Sequence, residues 1–220
     1  AGGVHFDLAG SDPQRRAPVN STYAQTFSAC AYAVKCLVDP DLPVNDGFYR
    51  LVSVDAPKGS VTNCTWPSPV VGGWETQTRL VDVLFRALLP AFPERLPAGT
   101  KAMMCQAGFG SLDVAAGSYT GFYATFAGGY GGRYASDGPD AVQAHGQNTE
   151  NAPVEETELN YPVRIDGLSL VEDSDGPGRF RGGLGLRKDS RFDLPTTFTI
   201  LADRDRFGPW GAFGGHDGRV

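Results

Sequence analysis

Between Ala144 and Glu155 the chain reads Ala144-His145-Gly146-Gln147-Asn148-Thr149-Glu150-Asn151-Ala152-Pro153-Val154-Glu155, placing a histidine, two asparagines, a threonine and carboxylates in one short stretch. Such a cluster is costly to order and adds little to a core, so it lines a site. A solvated loop is the competing reading, since Asn, Thr and Pro are common loop formers. His145 in that setting has the chemistry of a general base, a hydrogen-bond donor or a metal ligand. The other histidines have less around them: His5 alternates with apolar neighbours, and His216 sits among turn residues. Glu155 and Glu158 are spaced for one helix face, but Pro162 limits any helix there to a turn or two. A Ser-His-Asp reading lacks a Gly-x-Ser-x-Gly elbow, and no cysteine has an activating context.

Three glycine-rich segments are the second feature: Gly128-Gly129-Tyr130-Gly131-Gly132-Arg133, Gly178 to Gly185, and Trp210 to Gly215. None is a P-loop or a strand-to-helix Gly-x-Gly-x-x-Gly, so nucleotide binding by this chain is unsupported. Glycine lets backbone N–H groups approach a carboxylate or phosphate, and Arg133, Arg179 or Arg181 could complete an anion site. Turn-making at strand ends explains the same glycines without a ligand.

The elements that must position these residues follow from periodicity. Val4 to Leu8 alternates as a strand, placing His5 on its outer face, and Gly2-Gly3 suits a hairpin turn whose first strand would precede this sequence. The chain is therefore expected to be part of a longer polypeptide. Asn20 or Ser21 is expected to cap a helix running to about Leu37, with Tyr23, Phe27, Cys30, Val34 and Leu37 on one face. A strand is expected near Phe48 to Val54. The clearest helix runs from about Glu75 to Leu89, with Arg79, Asp82 and Arg86 as a narrow solvent stripe and Asp82–Arg86 as an i,i+4 pair. Glu75 reads as a first-turn carboxylate favoured by the helix dipole. Further strands are expected at Tyr119–Phe126, Pro162–Val171, Leu184–Phe192 and Thr197–Ala202. The fold class is α+β, with helices mainly in the first half and mostly antiparallel β-structure with Gly-rich loops in the second, as one unit over 1–220.

Composition narrows the partners. With 220 residues, 29 glycines, 16 prolines and a net charge of −6, the chain suits a loop-rich globular fold. It lacks the basic clusters that nucleic acid or an anionic membrane surface would require. No apolar run reaches a membrane span. Cys30, Cys36, Cys64 and Cys105 fit neither a zinc knuckle nor a disulfide framework, so reduced thiols and a cytoplasmic setting are expected. The sequons at Asn20 and Asn63 are read as chance matches.

Taken in order, the motifs resemble the hydantoinase B family. They are Phe6-Asp7-Leu8-Ala9-Gly10-Ser11-Asp12-Pro13-Gln14, Pro18-Val19-Asn20, Leu37-Val38-Asp39-Pro40-Asp41-Leu42-Pro43-Val44-Asn45-Asp46-Gly47, Ala56-Pro57-Lys58-Gly59-Ser60, Pro69 to Thr76, Asn148-Thr149, Asn151, Pro153-Val154-Glu155, Tyr161-Pro162, Gly178 to Gly183 and Pro209-Trp210-Gly211. The resemblance implies the C-terminal part of a B-type subunit of an ATP-dependent cyclic-amide hydrolase of the N-methylhydantoinase or 5-oxoprolinase type. A related ketone carboxylase, or a non-catalytic assembly half, is the alternative. It also implies a hetero-oligomer in which an A-type partner carries ATP and activates a small amide or ketone by phosphorylation. A divalent metal is implied in the N-terminal half, which this sequence lacks, so no metal ligand is assigned here and the fragment alone is expected to be inactive. The implied catalytic group is His145, Asn148, Thr149, Asn151 and Glu155, with Gly128, Gly129, Gly131, Gly132 and Asp137 binding substrate or an anion. Relatives often carry His-x-His where this chain has Gln143-Ala144-His145, so a role needing two imidazoles is not expected.

Overall fold

The computed structural model describes residues 2–220. Strand β1 (Val4–Asp7) leads through helix α1 (Tyr23–Val38) and the short helix α2 (Asp46–Tyr49) to strand β2 (Val52–Asp55), which pairs with β1 in parallel, Val4 opposite Val52. This crossover is the arrangement that joins parallel strands. Gly3 runs alongside Leu51, and His5 lies on the exposed face. The strand expected over Phe48–Val54 is in fact the end of α2 followed by β2. Asn45 caps α2, its Oδ1 accepting the Phe48 N–H at 3.1 Å, and Phe48 is buried as a helical residue.

The cap of α1 is Thr22 rather than Asn20 or Ser21. Thr22 and Gln25 form a reciprocal capping box: the Thr22 N–H donates to Gln25 Oε1 at 3.0 Å and the Gln25 N–H to Thr22 Oγ1 at 3.4 Å. Asn20 is engaged elsewhere. Its Oδ1 accepts the Arg15 N–H at 2.7 Å, and its Nδ2 donates to the carbonyls of Arg15, Ala17 and Pro69, which stitches two loops together. The buried face of α1 is Thr26, Ala29, Cys30, Ala33 and Val34, rotated from the expected one so that Tyr23 stays exposed. Its small side chains let α1 lie against helix α3 (Gly73–Leu88), and Leu80, Val81, Leu84 and Phe85 complete the main core with Phe6, Val52, Val54 and Trp210.

The second half is antiparallel. Strands β3 (Gln106–Asp113), β4 (Ser118–Thr125) and β7 (Thr196–Leu201) form one sheet in the order β4-β3-β7, while β5 (Val163–Val171) and β6 (Gly185–Phe192) form a ribbon. Helix α4 (Val154–Asn160) is the two-turn helix before Pro162. A second aromatic cluster joins sheet and ribbon: Phe109 packs against Phe122, Phe192 and Phe198, and Phe122 against Tyr161. The α+β class and the division of helices and strands between the halves agree with the expectation.

The polar stripe of α3 is a correction. Asp82 is 3% exposed, and its partner is Arg204, not Arg86. Its Oδ2 accepts from Arg204 Nη2 at 2.9 Å and from Trp210 Nε1 at 2.9 Å, and its Oδ1 from the Thr100 N–H at 3.1 Å. Arg79 Nε donates to Asp203 at 3.1 Å, and the Arg86 guanidinium lies 5.8 Å from the Trp210 ring centre. All three side chains therefore meet the segment 203–210, which covers this side of the helix.

Candidate functional site

Helix α1 presents Tyr32 and α3 presents Phe85 to the loop that returns from β4. That loop places His145 between them. The imidazole is 4.7 Å from the Phe85 ring, edge on, 5.4 Å from Tyr130 and 5.8 Å from Tyr32. Its Nδ1 lies 3.4 Å from both tyrosine hydroxyls, while Nε2 is buried without a partner among the described residues. With 2% of its surface exposed, burial pulls the ring from its ordinary pKa of 6.5 down to about 4, so it is neutral at physiological pH. A neutral ring whose Nδ1 accepts a phenol proton carries its own proton on Nε2 and can donate it to an oxygen. Burial also pushes the Tyr130 phenol up to about 12 and the Tyr32 phenol further in the same direction, which keeps both protonated.

Beside this ring is a cleft of about 440 Å³ lined by Tyr32, Tyr130, Gln143, His145, Gln147 and Asn148. Gln147 Nε2 donates to the Met103 carbonyl at 3.0 Å and its Oε1 is buried and unpartnered. Gln143 is fixed by Lys101, whose Nζ donates to its Oε1 at 2.7 Å and also to the Phe126 carbonyl. Burial lowers the Lys101 pKa from 10.5 to about 8. Glu75 is also buried, its carboxylate accepting the Met104 N–H at 2.9 Å and Gln106 Nε2 at 3.2 Å, and burial raises its pKa. The first-turn position expected of Glu75 is correct, and the side chain is a brace beneath the segment carrying Met103.

The three glycine-rich segments, far apart in sequence, converge on a second cleft of about 500 Å³. Its wall includes Gly129, Gly131, Gly132, Gly183, Trp210 and Gly211, with Arg133 and Arg179 at its margin. The absence of a side chain is required by contact rather than by turn geometry. A Cβ on Gly131 would overlap the Ala98 carbonyl oxygen, and one on Gly129 the Gly183 carbonyl oxygen. The Gly128 N–H is spent on the Val142 carbonyl at 3.0 Å. The N–H groups of Gly129, Gly131 and Gly132 meet no acceptor among the described residues. Tyr130 lines both clefts, so the two share a wall.

Of the expected residues, His145 and Asn148 share the first cleft, and Gly129, Gly131 and Gly132 the second. Asn148, Thr149, Asn151 and Glu155 are exposed, and among the described residues their side chains make no hydrogen bond. Asp137 is exposed too, its Oδ1 accepting the Arg181 N–H at 2.9 Å. Arg181 is held by Asp140 at 2.9 Å and is not a free cation. Tyr32, Lys101 and the Asp82–Arg204 pair lie outside every polar cluster and motif of the sequence, while Gln147 lies within the polar cluster and Trp210 within a glycine-rich motif, where nothing in their spacing marks the contacts they make. Among the described residues no group of three or more His, Cys, Asp or Glu gathers, so a metal has no fitting donor set here, and the four cysteines are free thiols. No described helix is long and apolar enough to cross a membrane.

Over residues 1–220 the sequence matches the family described as Hydantoinase B/oxoprolinase. The chain belongs to this family. It is 32% identical to a protein provisionally named as the B-type component of a D-/L-hydantoinase from Pseudomonas sp. (strain NS671), over 97% of this chain and 37% of that protein. It is also 32% identical to 5-oxoprolinase 1 of Arabidopsis thaliana, over 99% of this chain and 16% of that protein. The solved ATP-dependent caprolactamase from Pseudomonas jessenii superposes with a TM-score of 0.71 at 28% identity, over 86% of this chain and 34% of that one. The fold is shared with acetone carboxylase in its nucleotide-free structure, at a TM-score of 0.80 and 18% identity over 97% of this chain and 29% of that one. The chain thus spans little more than a third of the hydantoinase component it matches.

Proposed function

We propose that this chain is part of a B-type subunit of an ATP-dependent cyclic-amide hydrolase, acting on a ring amide activated through a partner A-type subunit. One observation carries the reading: the relatives at 28–32% identity are named for hydantoin, oxoproline and caprolactam, each a ring closed by an amide. The ketone-carboxylating neighbour stands at 18%, where likeness speaks for the fold only.

In this reading the His145 cleft holds the ring. The neutral imidazole donates from Nε2 toward the exocyclic carbonyl oxygen of the ring amide, on which charge develops, a role that favours a preorganised neutral donor over a base of such low pKa. Asn148, at the rim, supplies a second donor. The free N–H groups of Gly129, Gly131 and Gly132, with Arg133 and Arg179, receive the phosphoryl oxygens of the activated group across the shared Tyr130 wall. The exposed and unpartnered side chains of Thr149, Asn151 and Glu155 favour a second role for that loop, as a surface that another subunit covers.

The test is turnover by the full-length protein assembled with its A-type partner, with hydantoin, 5-oxoproline, caprolactam or acetone supplied with ATP. The expected result is ATP consumption coupled to opening of at least one ring amide, reduced about a hundredfold or more by His145→Ala with assembly intact. Coupling to acetone and bicarbonate instead would overturn the hydrolase reading. Unchanged turnover in His145→Ala would remove the catalytic role and leave the assembly role.

A further inference from the structure

Among the described residues, the lining of the His145 cleft contains no charged side chain. Its hydrogen-bonding groups are two phenols, one imidazole and three carboxamides, all neutral. The Lys101 ammonium, behind Gln143, is engaged by the Phe126 carbonyl and Gln143 Oε1 and is not among the lining groups. Arg133 lies in the clefts on the other side of Tyr130. Two buried polar atoms of the lining residues have no partner among the described residues, Gln147 Oε1, which accepts an N–H, and His145 Nε2, which donates to a carbonyl, and with the exposed Asn148 carboxamide they match the donor and acceptor of an amide.

From this we infer that the cleft selects a neutral ring amide and discriminates against one bearing a carboxylate. Hydantoin or caprolactam would then be ligands of this chain and 5-oxoproline would not. The inference rests on the cyclic-amide reading above and narrows its substrate class. A carboxylate entering this cleft exchanges its hydration for neutral partners at best, whereas a ring amide finds both an acceptor and donors. Burial that keeps His145 neutral also keeps it from supplying the missing positive charge.

Equilibrium binding by calorimetry, on the full-length protein in its assembly, tests this with hydantoin, caprolactam and 5-oxoproline as probes. The wild type is expected to bind one of the neutral amides at least about tenfold more tightly than 5-oxoproline, the margin separating a charge-assisted from a neutral contact. Asn148→Arg, at an exposed rim position, is expected to close most of that gap by providing the absent cation. Gln147→Ala is expected to weaken the neutral amides by a similar factor. If 5-oxoproline binds as tightly as hydantoin and its affinity falls in Gln147→Ala, the cleft is used but charge does not select, and the inference fails while the cyclic-amide reading stands. If no probe responds to Gln147→Ala, Asn148→Arg or His145→Gln, the cleft is not the ring site, and the inference fails with the placement of the ring proposed above.

Discussion

Lowering the pH from 7.5 to 5 asks His145 to accept a proton where Phe85, Tyr32 and Tyr130 surround the ring and, among the described residues, no carboxylate hydrogen-bonds to it, the charge of Asp82 offsetting burial only in part. The folded chain holds this imidazole at about 4 against an ordinary 6.5. Between those values the unfolded chain binds the proton and the folded chain does not. The stabilisation is complete above 6.5 and is lost as the pH falls from there toward about 4. At roughly 1.4 kcal/mol per unit, the ceiling is about 3 kcal/mol, and about 2 kcal/mol is gone by pH 5. For a domain of this size that is a large share of a total of about 5–15 kcal/mol.

The assay is urea unfolding of the wild type and of His145→Gln at matched pH values across this range. Glutamine keeps a polar side chain at the position but does not titrate. It will lower stability at pH 7.5, so the informative quantity is the difference in slope. Every other ionisable group is common to both proteins, so its contribution cancels in the difference. The wild type is expected to lose about 2 kcal/mol more than the variant between pH 7.5 and 5. Parallel stability curves would refute the argument, because they would mean that position 145 accepts a proton as readily folded as unfolded, which the packing described here does not allow.

Two further outcomes follow from the architecture. Asp82→Ala leaves the Arg204 guanidinium buried among carbonyls without its carboxylate and is expected to lower unfolding free energy by about 3–5 kcal/mol. Asp82→Ala with Arg204→Met should recover part of that loss in thermal melts, and a double variant as unstable as the sum of the singles would contradict the pairing. Gly131→Ala drives a methyl into the Ala98 carbonyl and is expected to lower stability by more than about 2 kcal/mol, whereas Gly10→Ala, which meets nothing, should change it by less than about 0.5 kcal/mol.

The parts of this fold legible in the sequence are those governed by local period. Strands β4 to β7 and helix α3 fall within a few residues of where alternation and helical spacing put them. Strand β3 escaped because Gly108 and Gly110 sit on one of its faces and erase the alternation, although its pairing with β4 and β7 is continuous. Asp82 was misplaced for a related reason. A helical wheel assigns a carboxylate to solvent, and nothing nearby reports that Arg204 returns to it from 122 residues away. The polar cluster drew attention to His145, but its environment comes from Tyr32, 113 residues earlier, and from Phe85 on another helix.

The same distant contacts explain why the two clefts belong together. Asp82 and Phe85 stand one turn apart on α3. The first anchors Trp210 on the wall of the glycine-lined cleft, and the second packs edge-on against His145 in the other. Tyr130 closes the arrangement from the opposite side, its hydroxyl at His145 and its backbone hydrogen-bonded to Pro139 and Gly183 within the glycine-rich wall. A glycine at position 183 is needed so that this strand of backbone can lie directly on Tyr130 and Pro139. The three glycine-rich segments, which look like separate turns when read along the chain, are thus a single packed wall. Its position relative to His145 is set by one buried carboxylate and one tyrosine, so a ring held in one cleft and an activated group held in the other would be kept in register by the rigid helix between them.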